Sequence, residues 1–109
     1  MAYNHHATCK WEIRVSKGSR IQLLFVDLDL ERGSDCSYDY VEILDGERLN
    51  SPSLGKYCHT YTSIISSKSN SVIAKFRSDY SVGGRGFHLR YNTSESNRRF
   101  FPADKNLKM

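Results

Sequence analysis

The feature that most narrows the possible folds is an alternation of apolar and polar residues that runs through almost the whole chain. Trp11, Ile13 and Val15 alternate with Lys10, Glu12 and Arg14, a period of two that suits a strand with one face buried and the other in water. Ile21, Leu23 and Phe25 repeat it after the turn residues Lys17-Gly18-Ser19. The phase then flips: Val26, Leu28 and Leu30 carry the apolar set onward, interleaved with Asp27, Asp29 and Glu31. One extra residue in a long strand produces such a flip, so a bulge is expected around Phe25-Val26.

Further β-rich runs follow at residues 40–44, 54–58, 63–66, 72–76 and 87–91, with turn signals between them. Asp45-Gly46 is a pair favoured in hairpins, Lys68-Ser69-Asn70 reads as a turn, and residues 82–86 form a glycine-rich one. No segment keeps a helical period. Short strands at regular spacing predict an all-β sandwich. Trp11, Phe25, Tyr40, Phe76, Phe87 and Tyr91 are core candidates by the same periodicity. After Thr93 the alternation stops, which sets the expected division: a domain over residues 1–93 and a polar, basic linker or frayed tail over 94–109.

A chain of 109 residues suits one domain with a small core. No apolar run is long enough to span a membrane, and the start Met1-Ala2-Tyr3-Asn4-His5-His6 lacks the charge and apolar stretch of a signal peptide. The net charge of +4 is modest, and residues 95–109 contribute four basic residues against two acids. So small a surplus, spread along the chain, argues against nucleic-acid binding and leaves room for an anionic glycan. Cys9, Cys36 and Cys58 lack zinc-site spacing. Asn92-Thr93-Ser94 is a glycosylation sequon. Neither a Gly-x-Ser-x-Gly elbow nor a His-Glu-x-x-His motif is present, and residues 82–86 lack the Lys-Ser or Lys-Thr of a phosphate loop, so no catalytic role is expected. The adjacent His5 and His6 would point to opposite faces of a strand.

Several pieces, taken in order, resemble a CUB domain. They are Cys9-Lys10-Trp11-Glu12-Ile13, Ile21-Gln22-Leu23-Leu24-Phe25, Leu30-Glu31, Cys36-Ser37-Tyr38-Asp39-Tyr40-Val41-Glu42-Ile43, Asp45-Gly46, Gly55-Lys56-Tyr57-Cys58, Phe76-Arg77-Ser78-Asp79-Tyr80-Ser81 and Gly86-Phe87-His88-Leu89-Arg90-Tyr91. Any one of them is weak; the ordered set is specific. The resemblance implies a jelly-roll-like sandwich of two antiparallel sheets in an extracellular or secreted protein, or in the ectodomain of a membrane protein. It also implies a disulfide between Cys36 and Cys58, worth about 3 kcal/mol by loop entropy. In the family Cys9 pairs with an earlier cysteine. That implies a chain that begins inside the domain and lacks the first strand or strands, leaving a free sheet edge and an unpaired Cys9.

The resemblance further implies a Ca2+ site. Glu31, Asp39 and Asp79 occupy the family's three ligand positions, with an oxygen near Ser81 as supplement. Calcium takes six to eight oxygen ligands, and three gathered carboxylates would repel one another without a cation. Val82 stands where the family often has a polar residue, so side-chain help there is lost. The acids lie far apart in sequence and only the fold can bring them together; the alternative is three separately solvated surface acids. The expected function is calcium-dependent protein recognition. Glu31 and Asp79 would receive a Lys or Arg of a protein ligand, and Tyr38, Tyr80 and Ser81 would border the contact. A second reading, from the residues alone, is calcium-independent binding of heparin-like glycans through a basic face built from Lys68, Lys75, Arg77, Arg85 and Arg90.

Overall fold

The computed structural model describes residues 8–30, 36, 39–78, 86–95 and 105–108. Among the described residues there are eight strands: β1 (Thr8–Arg14), β2 (Ser19–Asp29), β3 (Tyr40–Asp45), β4 (Ser53–Tyr57), β5 (Ile65–Ser66), β6 (Ser71–Arg77), β7 (Gly86–Glu95) and β8 (Lys105–Lys108). They form two four-stranded sheets, ordered β1-β6-β3-β4 and β5-β2-β7-β8. Every pairing is antiparallel. The expected all-β sandwich is therefore the fold, and each β-rich run of the sequence contains a strand.

The period-two pattern fills the space between the sheets. Ile13 of β1, Val41 and Ile43 of β3, and Val72, Ala74 and Phe76 of β6 face Ile21, Leu23 and Phe25 of β2 and Phe87 and Leu89 of β7 in one buried cluster. Apolar area removed from water on this scale is the main force holding the layers together. The bulge falls where the phase flip predicts it, between Phe25 and Asp27 in the β2–β7 register. Val26 is the extra residue and is 48% exposed. Leu28 and Leu30, on the new phase, return to the core.

The structure adds detail at Tyr40 and after residue 94. Tyr40 is buried, yet it lies outside the inter-sheet cluster. Val41 and Ile43 take the inward positions of β3, so Tyr40 faces outward, where the Lys56 ammonium sits 4.6 Å from its ring centroid. The tail expected from residue 94 contains paired backbone: β7 continues to Glu95, and Lys105–Lys108 pairs with the β7 segment from His88 to Tyr91. Lys105–Lys108 holds a single apolar residue, Leu107, too little to set an alternation.

Asp45-Gly46 opens a longer connection than a two-residue hairpin, since β4 begins only at Ser53. The Asp45 amide donates to the Pro52 carbonyl (2.8 Å). The Asp45 carboxylate instead fastens the β5–β6 turn. It accepts the backbone amides of Lys68 (3.0 Å) and Ser69 (3.1 Å), and the Ser69 hydroxyl lies 2.7 Å away. Burial pushes this carboxyl up, but the Ser69 hydroxyl, the two amides and the Lys68 charge outweigh it and hold the group below the usual carboxylate range.

Gly55 carries a φ of +132°, and a Cβ there would meet the Tyr57 hydroxyl at 2.7 Å. Tyr57 folds back over this glycine, donates to the Leu54 carbonyl (2.7 Å) and still reaches Phe25 of the other sheet (5.4 Å between ring centroids). Gly55→Ala should therefore cost roughly 1–3 kcal/mol through backbone strain and displacement of Tyr57, read as a lower urea midpoint. A depressed folded-state pKa gives stability that is present above the unfolded value and lost as pH falls through the folded one. Asp45→Asn should accordingly lose about 1–2 kcal/mol at neutral pH and show a smaller further loss than the parent when melting is followed below pH 4.

Candidate functional site

One end of the sandwich collects the segments that carry the sequence-predicted ligands. β2 ends at Asp29 and is followed by Leu30, which is buried at 2% and donates its amide to the Cys58 carbonyl (3.4 Å). Cys58 follows β4, whose Tyr57 pairs with Val41 near the start of β3. Tyr40 at the start of β3 lies opposite Arg77 at the end of β6, and Ser78 beyond it is buried. β7 starts beside the end of β2, with Gly86 opposite Asp29. Leu30, Asp39, Ser78 and Gly86 thus meet at one end, where the two sheets are tied to each other. Phe87, Phe25 and Phe76 form the floor, with ring centroids 5.6 Å apart for Phe76–Phe87 and 6.5 Å for Phe25–Phe87. Trp11 closes the same layer edge-on against Phe87 at 5.6 Å.

The disulfide implied by the resemblance is present between Cys36 and Cys58, 22 residues apart with Cα atoms 5.5 Å apart. It anchors the segment leading into Asp39 to the end of β4. Cys36 has a φ of +60°, a conformation disfavoured for a residue with a Cβ. Cys9 is a free thiol, half-buried on β1 against the core cluster. β1 is an edge strand among the described residues, paired only with β6.

Asp39 is the one predicted calcium ligand among the described residues, and it is 1% exposed. A carboxylate removed from water to this degree needs compensating partners or a cation, so for Asp39 the solvated-surface alternative fails. Glu31, Tyr38, Asp79, Tyr80 and Ser81 lie outside the described residues. Of these, Glu31, Tyr38 and Asp79 directly adjoin Leu30, Asp39 and Ser78 in the sequence. Among the described residues no group of three His, Cys, Asp or Glu side chains gathers as a metal site.

The basic residues do not form one face. Lys75 and Arg77 lie on the outer side of the β1-β6-β3-β4 sheet, whereas Arg90 lies on the outer side of the other sheet, across the core. Around Lys75 the charges are mixed: it lies opposite Lys10 and Glu42, and Lys10 pairs with Glu12 at 3.2 Å. Lys68 sits in the turn fastened by Asp45; Arg85 lies outside the described residues. A second ion pair, Arg14–Glu47, ties β1 to the β3–β4 connection. Asn92 of the sequon is 9% exposed in β7 opposite Gln22, so a glycan on its nitrogen requires transfer before β7 pairs with β2.

Sequence reasoning passed over one surface feature. Leu24 occupies an outward position of β2, and Ile64, 52% exposed, lies beside it. The available signal was an apolar residue on the polar phase of an alternating strand.

Against known proteins, the profile of the CUB domain family matches residues 1–91. Rat cubilin is 38% identical over 94 residues, 83% of this chain and 3% of that protein. The full extracellular region of zebrafish Gpr126/Adgrg6 superposes with a TM-score of 0.73 at 28% identity, over 86% of this chain and 12% of that one. The MASP-1 CUB2 domain bound to Ca2+ gives a TM-score of 0.72 at 33% identity, over 83% of this chain and 80% of that one. The chain therefore spans a small fraction of the long relatives it matches and about four fifths of that single domain.

The disulfide gives the first check on this end. Replacing Cys36 and Cys58 together by Ser should lower stability by about 3 kcal/mol, measured by urea denaturation of the variant beside the parent.

Proposed function

This chain belongs to the CUB domain family, extracellular and non-catalytic interaction modules of larger proteins, and from that premise we propose that it is a calcium-organised protein-recognition module. Glu31, Asp39 and Asp79 hold the ion, with an oxygen near Ser81 completing the set. The observation that carries this reading is Asp39: its carboxylate is withdrawn from water at the end of the sandwich where β2 and β6 finish and β3 begins. The MASP-1 domain that superposes on this chain is itself bound to Ca2+, and the residue types here are the hard oxygen donors that this ion selects.

The bound ion supplies positive charge that relieves repulsion between the carboxylates and fixes the loops that bear them. The residues of this chain then do the recognition. Glu31 and Asp79 keep acceptor capacity for a Lys or Arg of a protein ligand, a charge-assisted contact typically worth about 1.5–3 kcal/mol. Tyr38, Tyr80 and Ser81 border it with aromatic surface and hydroxyls. Protein recognition is favoured over a glycan surface because the basic residues are divided between opposite faces and interleaved with Glu12 and Glu42.

Calorimetric titration of the chain with Ca2+ tests the reading. Saturable binding is expected, and Asp79→Ala should abolish it while leaving the thermal melt in chelator unchanged. Equal binding by parent and variant would dismiss the site.

A further inference from the structure

The solvent side of an antiparallel sheet is ordinarily polar. On the outer side of β5-β2-β7, Leu24 and the 52% exposed Ile64 break that rule. Gln22 of β2 lies opposite Asn92 of β7 in one outward row, and Leu24 belongs to the next. Gln22, Leu24, Ile64 and Asn92 all line one groove of about 180 Å³. Small-molecule sites run to roughly 300–1,000 Å³, so this groove has room for a single ring. One of its lining residues, Asn92, heads the one Asn-x-Ser/Thr sequon of the chain, Asn92-Thr93-Ser94. The apolar floor and the attachment point for a sugar therefore share one small surface.

We propose that Asn92 carries an N-linked glycan and that its first N-acetylglucosamine lies in this groove against Leu24 and Ile64. The chain belongs to an extracellular family, whose route to the cell exterior passes the transferase. There the Asn92 amide nitrogen bonds to C1 of the sugar as the C1–O bond of a polyprenyl-diphosphate-linked oligosaccharide breaks. The lipid diphosphate leaves with that electron pair, and the amide gives up one proton. Asn92 is 9% exposed once β7 has paired with β2, so the order of events matters. Gln22 and Asn92 are far apart along the chain, and pairings of such long separation form slowly. The sequon is thus still extended when the transferase meets it. A glycosylated carboxamide keeps its carbonyl oxygen and one N–H, so folding around it does not require Asn92 to give up all interaction within the chain.

The fold then directs the ring. Leu24 is the diagonal neighbour of Asn92 across the β2–β7 pair, within reach of a ring carried by that side chain. A hexosamine ring is apolar on the face where its C–H bonds project and polar round its rim. Laid on Leu24 and Ile64, it withdraws their apolar area from water and leaves its hydroxyls to Gln22 and solvent. An exposed apolar patch on a secreted domain is thereby covered by the chain's own substituent. Asn92 is roughly 20 Å along β7 from Gly86 and the candidate calcium end, so the glycan stands or falls separately from that site.

The test compares the whole chain secreted from mammalian cells behind a signal peptide with the same chain made in the bacterial periplasm, free of sugar. Peptide mass mapping should find hexosamine on Asn92, and Ser94→Ala should remove it. Blocking mannose trimming and digesting with endoglycosidase H leaves one N-acetylglucosamine, so the two chains then differ by a single sugar. The sugar-bearing chain should melt about 4 °C or more above the bare one, with amide shift differences centred on Gln22, Leu24, Ile64 and Asn92. Ile64→Ser, at an exposed position, should keep the sugar and lose most of that difference. The proposal is overturned by unmodified Asn92 in the secreted chain, by equal midpoints for the two forms, or by an undiminished difference in Ile64→Ser. A midpoint of the bare chain that rises with protein concentration would also overturn it, by placing a second copy on this face.

Discussion

Phe87 is where the two sheets are held against each other. Its ring, at the start of β7, packs against Phe25 of its own sheet and against Phe76 and Trp11 of the facing one. Aromatic pairs in tilted and edge-on arrangements add about 0.5–1.5 kcal/mol each beyond the area they bury. More important is where this packing occurs. The rings lie under the end at which β2 and β6 finish and β3 and β7 begin, so they set the separation of the strands from which the acidic segments depart. Cys36–Cys58 and the Leu30–Cys58 hydrogen bond close the same end from the β4 side. The candidate site is thus a consequence of inter-sheet packing before it is a matter of carboxylates.

Much of this fold was legible because one face of each strand must be dry. The alternation in β1, β2, β6 and β7 marks the buried side, and the phase flip at Phe25-Val26 locates the bulge to within a residue. What alternation misreads are side chains buried for other reasons. Tyr40 is on the outer side of β3 but sheltered by Lys56; Ile73 and Leu44 are opposite one another on that same outer side and are also buried. The strand Lys105–Lys108 escaped notice because four residues with one apolar side chain carry no readable alternation. Asp45 looked like part of a hairpin turn, yet its carboxylate reaches a turn more than twenty residues away, a contact that only the tertiary fold creates.

The candidate site shows the same division. Residue type and family resemblance suffice to nominate Glu31, Asp39 and Asp79, but nothing local in the sequence distinguishes a withdrawn carboxylate from a hydrated one. Burial of Asp39 supplies that distinction. The basic residues illustrate the converse: Lys75, Arg77 and Arg90 look alike along the chain, and the two-layer architecture sends them to opposite sides. Shared strand parity predicts a common face only within one sheet.

The bulge in β2 has an effect on how such a domain can change over time. Before it, Gln22 and Leu24 lie on the outer side of the sheet; beyond it, the strand runs on toward Leu30, the residue before Glu31. Because pairing resumes in a new phase after Val26, neither half dictates which side chains the other presents. Substitutions that retune the sheet face need not disturb the strand end, and the reverse holds too. A single inserted residue thus divides one continuous strand into two stretches able to diversify separately, each keeping its own half of the common core.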